Sequence, residues 1–139
     1  FNFAVAGVVA LLHDVLVAMG ALALTGRQID LLSVTAFLTI AGYSINDTIV
    51  IYDRVRENAR LLRKATLKEL INLSVNQTLA RTLLTSGITL LVVIAILIYG
   101  GEVLSNFAFT LLVGFISGIY STVYIASPLV LAMSGKKDK

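Results

Sequence analysis

LLSVTAFLTIAGYSINDTIVIY, residues 31–52, is a run of 22 residues in which Asp47 is the only carboxylate and there is no cation. A helix rises about 1.5 Å per residue, so a run of this length matches the roughly 30 Å hydrocarbon core of a bilayer. A carboxylate in hydrocarbon is costly, and an intramembrane ionisable group is by default a functional hypothesis. The stretch therefore points to a membrane-spanning helix and leaves Asp47 in need of a reason.

Three further stretches, at about residues 3–25, 82–99 and 106–133, are comparably apolar. Backbone groups in lipid must bond within their own segment, so these are expected to be helices. They lack the alternation of a membrane β-barrel. Charged residues make up 14% of the 139, against about a quarter in a soluble domain, which is too few to clothe a water-facing surface. The expected fold class is an all-α integral membrane protein, a bundle of four transmembrane helices plus a short amphipathic cytoplasmic helix. That last helix is read from Thr66 and Glu69, a capping box in TLKE, followed by Leu67, Leu70, Ile71, Val75 and Leu79 at near-helical spacing. It leads into the third span, and a basic surface helix beside a membrane is ordinarily an anchor to anionic headgroups. The chain opens at Phe1 without a basic n-region, so it reads as a segment of a longer polypeptide and not as a signal peptide.

Charge placement orients the bundle. The connection at 53–81 carries Arg54, Arg56, Arg60, Arg63, Lys64, Lys68 and Arg81, and the tail carries Lys136, Lys137 and Lys139. The loop between the first two spans has Arg27 alone, and the GGEVLSN loop has no cation. Ten of eleven cations thus fall on one side, which the positive-inside rule assigns to the cytoplasm, together with both ends of the chain.

Several function classes drop out. With no Cys and a single His, thiol chemistry, disulfides and His or Cys metal clusters are excluded, and no cofactor or metal is expected. Nucleophile elbows and phosphate-binding glycine loops are missing, so an enzyme is not expected. The basic connection lacks the aromatic interleaving of single-strand nucleic-acid binders.

The ionisable residues inside the spans are His13, Asp14 and Asp47. Asp47 is about four residues inside the apolar edge, roughly 6–9 Å from the headgroups. Burial there disfavours its charge, while a nearby cation favours it, so alternation between the two environments would load and release a proton. Arg81, at the start of the third span, is the candidate counter-charge. On these residues alone, a proton relay and a permanent helix-joining pair stand level. His13 and Asp14 are adjacent, so they point about 100° apart and need not serve one site; His13 reads as a structural hydrogen-bonding group, and Asp14 is open. Gly114 and Gly118 form a GxxxG pattern that permits close helix approach. Pro128 is expected to kink or loosen the fourth span. Thr85, Ser86, Gly87 and Thr89 make the start of the third span small and polar. Gly100 and Gly101 signal a turn.

The stretch GYSINDTIVIYDRVREN at 42–58 closely resembles the SecF-type signature of the SecD/SecF family, within the resistance-nodulation-division superfamily of proton-driven transporters. LLHDV at 11–15, NQTLARTLLTSG at 76–87, the Gly100–Gly101 pair and YIASPLVL at 124–131 resemble it in the same order, so the likeness covers the whole chain. What it implies is the last four of six spans of a SecF-type subunit in the bacterial cytoplasmic (inner) membrane. Such a subunit uses the proton-motive force with SecD to assist late preprotein translocation through the SecYEG channel, with YajC and YidC as further candidate partners and no nucleic acid. It further implies that Asp47 carries the proton with Arg81, supported by the polar neighbours Asn46 and Thr48 and, less decisively, Asp14. A proton-coupled exporter of lipids or small molecules and a structural scaffold for the translocase are the alternatives.

Overall fold

The structure, a computed structural model, describes residues 1–134; Lys136, Lys137 and Lys139 lie outside the described residues. Four helices carry the chain: α1 (Asn2–Leu24), α2 (Leu31–Leu61), α3 (Leu67–Tyr99) and α4 (Gly101–Ser121). A π-helical stretch (Thr122–Ala126) and α5 (Ser127–Ser134) continue from α4. All four long segments are long and apolar enough to cross a membrane, and no strand occurs among the described residues. This is the helical membrane bundle expected from the sequence.

The bundle is inside-out in its use of side chains. In α1 the buried face is Ala6, Ala10, Asp14, Ala18 and Leu22, one residue every four. In α3 it includes Ser74, Thr78, Thr82 and Ser86, again every four. Leu83, Leu84, Ile88, Leu91 and Val92 of α3 face outward. Lipid is as apolar as leucine, so large apolar residues gain little from the interior, and small residues let backbones approach. α4 is the centre, packed on α1, α2 and α3. Gly114 sits directly on Ile40 of α2, where a Cβ would collide with the isoleucine side chain. Here the GxxxG spacing does allow a close approach.

Helix ends follow from local chemistry. Asp30 caps α2, accepting from the Ser33 amide and hydroxyl, both at 2.7 Å. These bonds hold its carboxyl below the ordinary value, the hydroxyl contributing more than the amide. Thr66 and Glu69 form the capping box at the start of α3. The Thr66 amide, then its hydroxyl, holds the Glu69 carboxyl low as well. The amphipathic segment read from the sequence is the first turns of α3 itself, with no break before the third span. Gly101, at φ 71°, makes the tight α3–α4 turn in the left-handed region that glycine tolerates.

Pro128 acts just upstream of its own position. It has no N–H for the carbonyl four residues back, and the backbone widens into five residues of π-helix immediately before α5. The Ser127 hydroxyl turns back to the Thr122 carbonyl at 3.2 Å. The fourth span is thus helical throughout but not uniformly α.

Two apolar clusters hold the bundle. One contains Ala18, Ala36, Ile40, Val93, Ala108, Leu111 and Phe115. The other contains Ala6, Ile51, Val55, Ile71 and Val130. Between them the buried residues of α2, α3 and α4 are mostly hydroxyl-bearing and α1 contributes Asp14, so a hydroxyl-rich belt separates the two clusters.

Candidate functional site

α2 projects Ser44, Asp47 and Thr48 inward into this belt, α3 supplies Thr82 and Ser86, and α4 supplies Ser117 and Ser121. Side-chain hydroxyls at such depth need partners, and many bond to a carbonyl of their own helix, as Thr78 does to Ser74 at 2.9 Å and Thr48 to Ser44 at 3.0 Å. The Tyr43 hydroxyl lies 3.4 Å from both Ser86 and Thr89, tying α2 to the polar start of the third span. Every buried side-chain nitrogen and oxygen among the described residues has a partner.

Asp47 is 8% exposed and makes no hydrogen bond or ion pair among the described residues. Because no fully enclosed polar atom is left unpartnered, its oxygens must reach the edge of the bundle. Arg81 lies outward on α3, unpaired among the described residues, with the Thr85 hydroxyl bonded to its carbonyl at 2.9 Å. The two opposite charges therefore stand on neighbouring helices without touching. A cleft of about 320 Å³, lined by Val50, Asp53, Arg54, Glu57, Gln77, Thr78 and Arg81, runs between α2 and α3 on the arginine-rich side. Its inner wall at Val50 is one helical turn from Asp47. At the outer end of the cleft, Gln77 accepts from Arg54 at 2.7 Å and from Asn58 at 3.0 Å, bracing the two helices.

The other expected site residues distribute unequally. Thr48 is buried, with its methyl group against Gly7 of α1, and makes no bond to Asp47. Asn46 is exposed on the outer surface of α2. Asp14 is 0% exposed and lies at the centre of a hydroxyl cage. Ser44 and Ser121 donate to its Oδ2 at 2.6 and 2.7 Å, and Ser117 donates to its Oδ1 at 2.9 Å. His13 does share this site despite the offset of adjacent residues: its Nδ1 is 3.3 Å from Asp14 Oδ1. Sequence reasoning missed the three serines. The available signal was Ser117 and Ser121, four apart and astride Gly118 in α4, the spacing that places two hydroxyls on one helix face.

At the opposite end of the bundle, Arg27 reaches across to α4. Its Nη1 donates to Ser105 at 3.0 Å and Asn106 at 2.9 Å, and its guanidinium lies 4.6 Å from the Phe109 ring centroid. The single cation of that side thus pins the first loop to the start of α4.

Lipid-facing helices around an interior belt that holds two carboxyls, one of them touching a half-exposed imidazole, define a multi-pass membrane protein with ionisable groups inside its bundle. Residues 1–136 match the family model described as protein export membrane protein SecD/SecF, C-terminal. The chain belongs to the SecD/SecF family. It is 48% identical over 130 residues to the protein translocase subunit SecF of Koribacter versatilis, spanning 94% of this chain and 32% of that protein. It is 46% identical over 137 residues to the protein translocase subunit SecDF of Thermus thermophilus, spanning 99% of this chain and 19% of that protein. A crystal structure of SecDF in a super-membrane-facing form superposes with a TM-score of 0.93 at 46% identity, over 98% of this chain and 18% of that one. The chain therefore spans less than half the length of these curated relatives.

Proposed function

We propose that this chain is the proton-handling part of a Sec protein-export subunit, and that Asp47 carries the proton with Arg81 as its fixed counter-charge. The observation that carries the reading is Asp47 itself: a largely buried carboxyl, without a hydrogen-bond or ion-pair partner among the described residues, one turn from a cleft that Arg81 lines. A permanent glue pair would be in contact, whereas separated charges beside a water-accessible cleft suit a carboxyl that loads and releases a proton. Arg81 keeps its own charge throughout. The names of the relatives, protein translocase subunits SecF and SecDF, support the export role.

The whole protein of this reading works with SecD, draws on the proton-motive force and assists preproteins late in their passage through SecYEG, with YajC and YidC as further partners. It lies in the bacterial inner membrane with the arginine-rich ends of α2 and α3 on the cytoplasmic side, as the positive-inside rule directs. In this reading Asn46, exposed on α2 beside the relay, meets a partner helix, and Thr48 fixes α2 against α1 through its contact with Gly7.

The test is proton-gradient-dependent preprotein export by the full-length protein with its partner, comparing the parent with Asp47→Asn and checking assembly by co-purification of SecD. Gradient stimulation should disappear while assembly is retained. Stimulation that survives in an assembled Asp47→Asn complex overturns the relay and leaves Asp47 a packing residue.

A further inference from the structure

The relay at Asp47 makes no use of the most deeply buried ionisable group of the bundle. Asp14 lies 12 residues from the start of α1 and 10 from its end. That is roughly 15–18 Å from either end, near the middle of a bilayer core. We propose that His13 and Asp14, with the hydroxyls of Ser44, Ser117 and Ser121, form a second proton-binding site, in which one proton moves between the half-exposed imidazole and the buried carboxyl.

The cage selects the ligand. Three hydroxyl oxygens lie 2.6–2.9 Å from the carboxyl oxygens, drawn from α2 and α4 against α1. Gly118 adds its bare Cα face on the same side, where even a Cβ would lie in ordinary contact 3.7 Å from Oδ2. The three hydroxyls already donate to the carboxyl, and it is the one anionic group of the cage, so the site suits a proton better than a multiply charged metal ion, which is held by several carboxylates or carbonyls.

The transfer leaves every group satisfied. With His13 protonated, Nδ1–H donates to Oδ1 of the carboxylate. When the proton moves, the N–H bond breaks and an O–H bond forms at Oδ1. The imidazole keeps its Nε2–H and becomes neutral, and its freed Nδ1 lone pair accepts the new O–H. The contact persists with donor and acceptor exchanged. At 3.3 Å it is long for such a bond, as resting relay contacts often are. The serines accommodate the change too: the Ser121 hydroxyl has a second acceptor, the Gly118 carbonyl, at 3.2 Å.

The surroundings isolate the pair. From α1 the facing titratable group is His13 alone. From α2 the cage receives Ser44; the adjacent Tyr43 turns its hydroxyl to Ser86 and Thr89 of α3, and Asp47 lies about one turn further along. From α4 it receives Ser117 and Ser121, while Tyr120 of α4 and Tyr124 of the π-helical stretch are exposed, and α5 carries no ionisable side chain. No lysine or arginine among the described residues pairs with Asp14. The imidazole is the outer member of the pair: its side chain is 36% exposed, in a shallow apolar groove with Val9, Leu12, Leu16 and Val17, whereas Asp14 is fully enclosed. The site uses residues separate from Asp47 and Arg81, so it stands or falls independently of that relay.

The test is infrared spectroscopy of the full-length protein in liposomes, following the protonated-carboxyl C=O band across about pH 4 to 9, which brackets ordinary Asp and His values. A band that is lost in Asp14→Asn should shift on transfer to heavy water. In His13→Gln that shift should be about a hundredfold slower, the scale of a lost positioned proton-transfer group. Asp47→Asn should leave it unchanged. Should Asp14→Asn fail to assemble, Ser121→Ala assigns the band by removing one donor and moving its frequency. Absence of any Asp14 band over the range, or exchange indifferent to His13→Gln, overturns the proposal.

Discussion

Gly114→Ala is the sharpest probe of how α2 and α4 pack. The added Cβ would meet Cδ1, Cγ1 and Cγ2 of Ile40, a side chain that is only 1% exposed and has nowhere to retreat. Overpacking of this kind costs about 1–3 kcal/mol. Ile40→Ala removes all three contacted atoms and leaves a void, costing about 2–5 kcal/mol alone. Independent sites would add to about 3–8 kcal/mol on those same scales. Here the new methyl group enters the space that Ile40 vacates, so the double variant should be more stable than the sum by at least about 1 kcal/mol. Ile40→Val removes only Cδ1 and leaves Cγ1 and Cγ2, so it should rescue less. The assay is reversible unfolding of the full-length protein in bicelles by steric trapping, arranged as a double-mutant cycle. Additivity within about 0.5 kcal/mol, or better rescue by valine than by alanine, would refute the packing derived from Gly114 and Ile40.

Two other outcomes follow from the helix ends. Arg27→Ala should cost about 1–3 kcal/mol in the same assay, the range for charge-assisted bonds left unmade, and Arg27→Lys should recover little because an ammonium reproduces neither the planar donor fork nor the stacking on Phe109. Asp30 and Glu69 are both held below their ordinary values of 3.8 and 4.5 by bonds at helix starts, so the stability they add is complete above those values and is lost as pH falls through the lower folded values. Hydrogen exchange should show the first turns of α2 and α3 opening on acidification through that window in the parent and losing this pH dependence in Asp30→Asn/Glu69→Gln.

The reach of sequence reasoning differed from residue to residue. The capping box at Thr66 and Glu69 was legible because its parts are three residues apart and bond only to each other and their own backbone. Pro128 announced a disturbed helix because its missing N–H is a local property, although the form of the disturbance, a π-helical stretch upstream, depended on how the fourth span packs. The small polar start of the third span was legible as composition, but not that Ser86 turns inward to Tyr43 while Thr85 stays outward. The cage around Asp14 was not legible. Its donors lie 30, 103 and 107 residues away, on two other helices, and no local pattern encodes which serines meet.

By itself, the sequence determined that the chain forms membrane helices, roughly where they run and which ends carry the charge. These follow from hydrophobic length, backbone hydrogen bonding in lipid and the placement of eleven cations, all of which are sums over neighbouring residues. Only the tertiary structure decided that Asp14 is fully enclosed among hydroxyls while Asp47, also largely buried, has no hydrogen-bond partner among the described residues, and that Asp47 and Arg81 stand on neighbouring helices without pairing. The burial of a charge and the partners it finds depend on helix rotation and crossing, which small residues such as Gly114 and Ala10 set by allowing some helices to close and not others.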